Sequence, residues 1–128
     1  MAMTTKKITI ALSDRRPITI VADEWPQVAY GEDYSGQRDV QAFDGAQIQV
    51  RQHKDGRAIV YGYAGDWDGG ARPERRNVTA GFLCAWPAGL VRAVRRVQGI
   101  LAGCAHAGAY AEGAAERCIA DLPAEEIS

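Results

Sequence analysis

The sequence predicts an α+β fold, with an antiparallel sheet of five or six strands over about residues 5–85 and two C-terminal α-helices packed on one face. Three observations predict this fold. Short runs of alternating apolar and polar residues, separated by turn residues, fill the first two thirds of the chain. An apolar stripe at helical spacing follows Pro87. A sheet with one apolar face also needs a layer that covers it.

The length of 128 residues predicts a single domain, with residues 1–86 as the sheet part and residues 87–122 as the helix pair. The apolar fraction of 47% is typical of a globular protein. No run approaches the roughly 20 apolar residues of a membrane span, and the start of the chain lacks the apolar stretch of a signal peptide. We therefore expect a cytoplasmic protein with no membrane partner.

The most organised stretch runs from Ile48 to Tyr63, where two alternating segments meet at Asp55-Gly56. Such a dipeptide between alternating apolar residues is a strong hairpin signal. We predict a two-residue turn, which places Val50 opposite Tyr61 and Ile48 opposite Tyr63. A three-residue turn would shift the register by one residue and mix the two faces.

The segments on either side of this hairpin are predicted from the same patterns. Residues 6–22 alternate around a Pro-containing turn and predict a first hairpin. Trp25, Val28 and Tyr30 are expected on one helical turn, followed by a polar loop from Gly31 to Gly36. The other expected elements are a short strand Asp39–Phe43, an irregular segment Ala64–Asn77 and a closing strand Val78–Ala85.

Two helices are predicted after the closing strand. Pro87 favours a helix start, and one apolar stripe follows it. The stripe consists of Leu90, Val94, Val97, Leu101 and Cys104. A second helix is predicted at Ala109–Leu122, ended by Pro123.

Catalytic and metal-binding motifs are missing from the sequence. The chain has no nucleophile elbow, zinc-protease motif or phosphate loop. Cys104, His106 and Cys118 do not have the spacing of a zinc site, and the three cysteines are expected to be small buried residues in a reducing compartment. We therefore expect no metal, no cofactor and no enzymatic activity.

The best candidate for a binding site is a glycine-rich loop with the helix that follows it. The candidate residues are Trp67, Arg72, Arg75, Arg76, Asn77, Arg92 and Arg96. Guanidinium groups match phosphates and carboxylates, and a tryptophan ring offers a stacking surface. Duplex DNA is a poor candidate partner because the net charge is −1 and no reading helix is evident.

A structural interpretation of the same arginines remains open. Residues 72–96 carry six arginines and one glutamate, whereas residues 97–128 carry five acidic residues and one arginine. The basic segment can therefore pair with the acidic C-terminal helix, either within one chain or between two. The many small residues of the helix pair permit close approach of another helix, so we expect a homodimer.

Three stretches of the chain carry a resemblance: Ile8–Ser13 (ITIALS), Val50–Arg57 with Val60–Gly62 (VRQHKDGR and VYG) and Glu116–Pro123 (ERCIADLP). In this order they resemble small proteins encoded by prophages and other mobile elements of proteobacteria. Accessory proteins of this kind include inhibitors of bacterial immunity. The order of a sheet and then a helix pair is also similar in outline to the sponge proteins that sequester Thoeris signalling nucleotides.

This resemblance implies a non-enzymatic counter-defence protein in the cytoplasm of a bacterial host. Its partner would be a host defence protein or a nucleotide second messenger. The alternative is a structural or regulatory interaction module whose Arg-rich segment only docks subunits.

The double variant Arg75→Ala/Arg76→Ala separates these two interpretations. A surface ion pair contributes only about 0–1 kcal/mol, so the melting temperature should change little. Partner binding should be lost if the loop binds. A variant that keeps full activity would remove the loop from the site, and one that unfolds would show that the arginines are structural.

Overall fold

The computed structural model describes residues 6–34, 42–68, 77–103 and 108–124. These residues form an α+β fold, as predicted, with the helices on one face of a sheet. The elements are β1 (Lys7–Ile10), β2 (Ile18–Val21), a 3₁₀ turn (Ala22–Glu24), β3 (Gln27–Tyr34), β4 (Ala42–Gln52), β5 (Arg57–Asp68), β6 (Asn77–Ala85), α1 (Leu90–Leu101) and α2 (Gly108–Asp121).

The strands form two sheets, which corrects the prediction of one sheet with five or six strands. Strands β3, β4, β5 and β6 form an antiparallel meander in that order, and β1 pairs only with β2. The β1–β2 pair, called the N-terminal hairpin below, reaches the edge of β6 through Ser13. The Ser13 N–H donates to the Gly81 carbonyl at 2.8 Å, and the Ser13 hydroxyl accepts the Gly81 N–H at 3.1 Å. The short hairpin therefore packs over the larger sheet instead of extending it.

The turn between β4 and β5 has three residues, so the two-residue turn predicted at Asp55-Gly56 is wrong. The His53 N–H donates to the Arg57 carbonyl at 2.8 Å, and the Gly56 N–H donates to the His53 carbonyl at 3.1 Å. Gly56 has a φ of 93° and is the third loop residue, where three-residue hairpin loops need a left-handed conformation. Val50 consequently lies opposite Val60 rather than Tyr61.

The carboxylate of Asp55 reinforces this turn. Its Oδ1 accepts the Arg57 backbone N–H at 3.0 Å, and its Oδ2 accepts the Arg57 Nε–H at 2.6 Å. Desolvation acts to raise the pKa of Asp55, but the hydrogen bonds and positive charge of Arg57 outweigh it and hold that pKa below its usual range.

The register gives each face of the larger sheet a distinct composition. The helix face is apolar and carries Ala29, Gly31, Ala46, Ile48, Val50, Val60, Gly62, Ala64, Ala80 and Phe82. The opposite face, called the hairpin face below, carries Tyr30, Glu32, Gln47, Gln49, Arg51, Ile59, Tyr61, Tyr63, Thr79, Gly81 and Leu83. The predicted register placed Ile48, Val50, Tyr61 and Tyr63 on one apolar face. The structure divides these residues between the two faces.

Small residues on the helix face let both helices approach the sheet closely. A Cβ atom added to Gly31 would overlap backbone atoms of Ala114 and Cys118 in α2. A Cβ atom added to Gly62 would crowd Leu101 of α1. The buried stripe of α1 includes Leu90, Val94, Val97 and Leu101, as predicted; Cys104 lies outside the described residues.

Helix α2 also occupies hydrogen-bonding groups along the outer edge of β3. Asp121 Oδ2 accepts the Tyr30 N–H at 2.9 Å, and Arg117 Nη1 donates to the Glu32 carbonyl at 2.6 Å. Arg117 Nη1 also lies 3.1 Å from Asp33 Oδ1. Residues 117 and 121 are four apart and lie on the same side of the helix, so one turn of α2 protects this edge from pairing with another strand.

The other boundaries differ from the predictions where tertiary contacts decide the structure. The segment expected as a helical turn and a loop is strand β3, because its alternate residues pack under α2. β4 begins at Ala42, and residues 39–41 of the predicted short strand lie outside the described residues. β5 continues to Asp68 through the start of the segment expected to be irregular. Within the described ranges, no helix is long and apolar enough to cross a membrane.

The variant Gly31→Ala tests the contact between β3 and α2. Its new methyl group would force α2 away from the sheet, and overpacking of this kind costs about 1–3 kcal/mol in the free energy of unfolding. The control Gly99→Ala lies in α1 with nothing within 4 Å of the added Cβ. It should stabilise the protein by up to about 1 kcal/mol through helix propensity. Chemical denaturation measures both effects, and equal stability of the two variants would contradict this packing.

Candidate functional site

The N-terminal hairpin covers only the part of the hairpin face that lies nearest the β4–β5 turn. Its apolar side chains meet the sheet in a second core. The buried members of this core are Ile10, Leu12, Ile20, Trp25 and Ile59. Tyr61 and Leu83 are partly buried against it. The rest of the face, towards Tyr63, is not covered by this core.

Gly81 sets how closely the N-terminal hairpin approaches the sheet. A Cβ atom at this position would collide with the carbonyl oxygen of Ala11. The backbone after β1 therefore lies directly on β6. Beside this contact, an open groove remains between the N-terminal hairpin and the uncovered rows of the sheet.

This groove has a volume of about 230 Å³ and is called the amide groove below. Its polar lining comes from Thr9, Gln47, Gln49, Tyr61, Tyr63 and Thr79. Among the described residues that line it, none carries a charged side chain. The groove therefore suits an uncharged group that can donate and accept hydrogen bonds.

A chain of hydrogen bonds holds one side of the amide groove. Arg51 donates from Nη1 to the Trp25 carbonyl and from Nε to the Tyr61 hydroxyl, both at 2.9 Å. The Tyr61 hydroxyl donates to Gln49 Oε1 at 2.8 Å. These bonds fix the position of three side chains before any ligand arrives.

The neighbouring side chains form a second polar cluster. The Tyr30 hydroxyl lies 2.7 Å from Gln47 Oε1 and 2.8 Å from Glu32 Oε2. Gln47 lies directly opposite Tyr63 on the next strand, and Tyr63 lies opposite Thr79. The Tyr63 side chain is 42% exposed and provides an accessible aromatic ring beside two amides.

Most of the loop predicted as the binding site lies outside the described residues, including Arg72, Arg75 and Arg76. Trp67 lies in β5 and Asn77 begins β6, but their side chains also lie outside the described part of the structure. The assignment of this loop as a site remains a prediction.

The predicted helix residues Arg92 and Arg96 are exposed on α1. The Arg96 guanidinium stacks on Phe82, with Cζ 4.0 Å from the ring centroid. Phe82 lies five residue steps along the extended strand from Asn77, at about 17 Å, so Arg96 stacks well away from the start of β6. Phe82 belongs to the helix face, so Arg96 covers an edge of the core on the side away from the amide groove.

Another arginine of α1 contacts the acidic second helix. Arg95 Nη2 lies 4.0 Å from Glu116 Oε1, and Arg95 Nη1 donates to Gln98 Oε1 at 2.8 Å. Both members of the ion pair are exposed, so the pair contributes only about 0–1 kcal/mol. Its geometry nevertheless matches the structural interpretation, in which the basic segment pairs with the acidic helix.

The described cysteines lack the properties of nucleophiles. Burial and, to a smaller extent, the Asp121 carboxylate raise the pKa of Cys118 to about 12. Burial also raises the pKa of Cys84. Both therefore remain thiols at neutral pH, whereas a reactive cysteine needs a lowered pKa. Across the described ranges, no three His, Cys, Asp or Glu side chains are grouped as metal ligands.

The amide groove is missing from the sequence-based predictions because the predicted β4–β5 register differs from the observed one by one residue. With a three-residue turn, Gln47 and Gln49 share a face with Tyr61 and Tyr63, and the cluster is visible in the sequence. Thr79 joins them only through the pairing of β5 with β6.

Comparisons with protein families, curated proteins and solved structures found no match to this chain.

Proposed function

We propose that this protein acts by binding another molecule and that the amide groove is where it binds. The observation that carries this proposal is the combination of an exposed tyrosine ring with ordered amide and hydroxyl groups in an uncharged concave surface. Ligand sites usually combine apolar surface with a few well-placed polar groups.

The position of the groove favours binding without rearrangement. Gln49 and Tyr61 lie on the two central strands of a sheet that is packed on both faces. Their side chains already bond to Arg51 or to each other. Side chains ordered before binding lose less conformational entropy when a ligand arrives, and this increases affinity.

The groove volume helps to choose between the two predicted kinds of partner. About 230 Å³ is small beside the 300–1,000 Å³ of typical small-molecule sites, so the groove would hold one ring system rather than a large ligand. This favours a nucleotide second messenger over a whole defence protein as the primary partner. Together with the resemblance to prophage proteins, it supports a non-enzymatic counter-defence role through capture of a nucleotide signal.

A structural or regulatory module is the second candidate function. It is favoured by the internal contacts of Arg95 with Glu116 and of Arg96 with Phe82, since these arginines take part in holding the helix layer. In this alternative the Arg-rich segment docks subunits in a homodimer, and the groove has no ligand.

The variant Tyr63→Ala tests the proposed site. A thermal-shift screen with nucleotides and cyclic dinucleotides identifies a compound that raises the melting temperature, and calorimetry then gives its affinity. Loss of the ring should weaken binding about tenfold or more, since stacking of a base on an aromatic ring contributes about 1–3 kcal/mol. The free protein should melt almost normally because Tyr63 is 42% exposed and belongs to neither of the two cores.

Arg92→Ala is the matched control, because Arg92 is an exposed residue of the competing helix site. It should bind the compound as the unchanged protein does. Loss of binding in Arg92→Ala with full binding in Tyr63→Ala would reject the amide groove and move the site to the helix.

A further inference from the structure

We infer that the amide groove selects a ligand with a ring carbonyl, specifically a nucleobase with an oxo group such as hypoxanthine, guanine or uracil, over adenine. This inference rests on the proposed function, in which the groove is a binding site. It adds the chemical class of the ligand and names Gln49 as the residue that determines the selectivity.

Arg51 fixes which atoms donate and which accept in the chain of hydrogen bonds beside the groove. A guanidinium group has N–H donors and no acceptor. One of these donors is directed at the Trp25 carbonyl at 2.9 Å, which fixes the side chain. The Nε–H is directed at the Tyr61 hydroxyl oxygen at 2.9 Å, so this oxygen must accept.

The Tyr61 hydroxyl accepts from Arg51 and therefore acts as the donor to Gln49. The hydroxyl has one proton, and the Arg51 side of the oxygen is already occupied by a donor. The proton is therefore available to Gln49, whose Oε1 lies 2.8 Å away. This bond holds the carbonyl oxygen of the Gln49 amide towards Tyr61 and leaves its NH₂ group as the part of the amide that a ligand can meet.

A donor in this position determines what binds beside it. The complementary ligand atom is an acceptor, and the uncharged lining favours a neutral acceptor over a phosphate or carboxylate, whose desolvation would be uncompensated. A carbonyl oxygen meets this requirement. The exposed ring of Tyr63 adds a surface for a planar ring to stack on.

An oxo-nucleobase combines both features in one group. Guanine presents an O6 acceptor at the position where adenine presents an N6 amino donor. In the same pose, the amino group of adenine would place a donor against the Gln49 donor and leave both unpaired. Unpaired polar groups in a binding site reduce affinity strongly, so the groove should discriminate between the two.

The experiment compares inosine 5′-monophosphate with adenosine 5′-monophosphate by isothermal titration calorimetry on the full chain. The two compounds carry the same phosphate and ribose and differ only in the base, where hypoxanthine has an oxo group and an N1–H in place of the amino group and unprotonated N1 of adenine. We expect the unchanged protein to bind the inosine compound about tenfold more tightly, on the scale of one well-placed hydrogen bond.

Two variants show whether Gln49 causes the selectivity. Gln49→Glu replaces the NH₂ donor with an acceptor and should abolish or reverse the preference. Tyr61→Phe removes the hydroxyl that orients the amide, so the preference should fall towards equality. Gln27→Glu, at an exposed position of β3 outside the groove lining, is the control for the added negative charge and should keep the preference.

Each outcome separates this inference from the proposed function. If the unchanged protein binds both compounds equally and Tyr63→Ala loses that binding, the carbonyl selectivity is wrong but the groove remains the binding site. A preference that persists in both Gln49→Glu and Tyr61→Phe would also overturn the role of Gln49. If neither compound binds, the inference is wrong, and the proposed function stands only if another compound of the nucleotide panel binds with the same dependence on Tyr63.

Discussion

The three-residue turn at Lys54–Gly56 is the constraint on which the rest of the structure depends. Successive strand residues point to opposite faces, so a shift of one residue exchanges the composition of the two faces. With Gly56 in the left-handed conformation, Val50 and Val60 face the helices, and Gln49 and Tyr61 face the N-terminal hairpin. The core and the amide groove are therefore two results of one turn geometry.

The two sides of the sheet support the groove in different ways. On the helix face, Gly31 lets the backbone of α2 lie directly on β3, and Gly62 leaves room for the Leu101 side chain of α1. On the hairpin face, Gly81 allows the N-terminal hairpin to cover one end and leave the other open. A sheet that is packed against helices on one face and half covered on the other presents hydrogen-bonded polar groups to solvent, and this arrangement makes the groove suitable for binding.

The sequence predicted the elements whose pattern is local and missed those that depend on distant contacts. The stripe from Leu90 to Leu101 has helical spacing, and the first hairpin alternates around a proline, so both were predicted correctly. Strand β3 was missed because Gly31 resembles a loop residue until α2 is placed over it. The groove was missed because Asp-Gly is compatible with turns of two and three residues, and the sequence near the turn does not choose between them.

The arginines also show the difference between a local sequence pattern and the contacts that the fold creates. Their number and spacing suggested a site, but the contacts of Arg95 and Arg96 are set by α2 and by Phe82, which lie elsewhere in the sequence. The tyrosines and glutamines of the groove carry no charge and form no motif. Their hydrogen-bonding chain emerges only when β4 and β5 are placed side by side in the observed register.

The most direct test of this account is a measurement of the β4–β5 register by nuclear magnetic resonance. His53 donates to Arg57, and hydrogen-bonded pairs alternate along an antiparallel ladder, so Val50 and Val60 form a non-hydrogen-bonded pair with Cα atoms about 4.5 Å apart. We predict a strong nuclear Overhauser effect between the Hα protons of Val50 and Val60. A strong Hα–Hα effect between Arg51 and Val60 instead, the non-hydrogen-bonded pair of a two-residue turn, would return Tyr61 to the face of Val50 and contradict the amide groove.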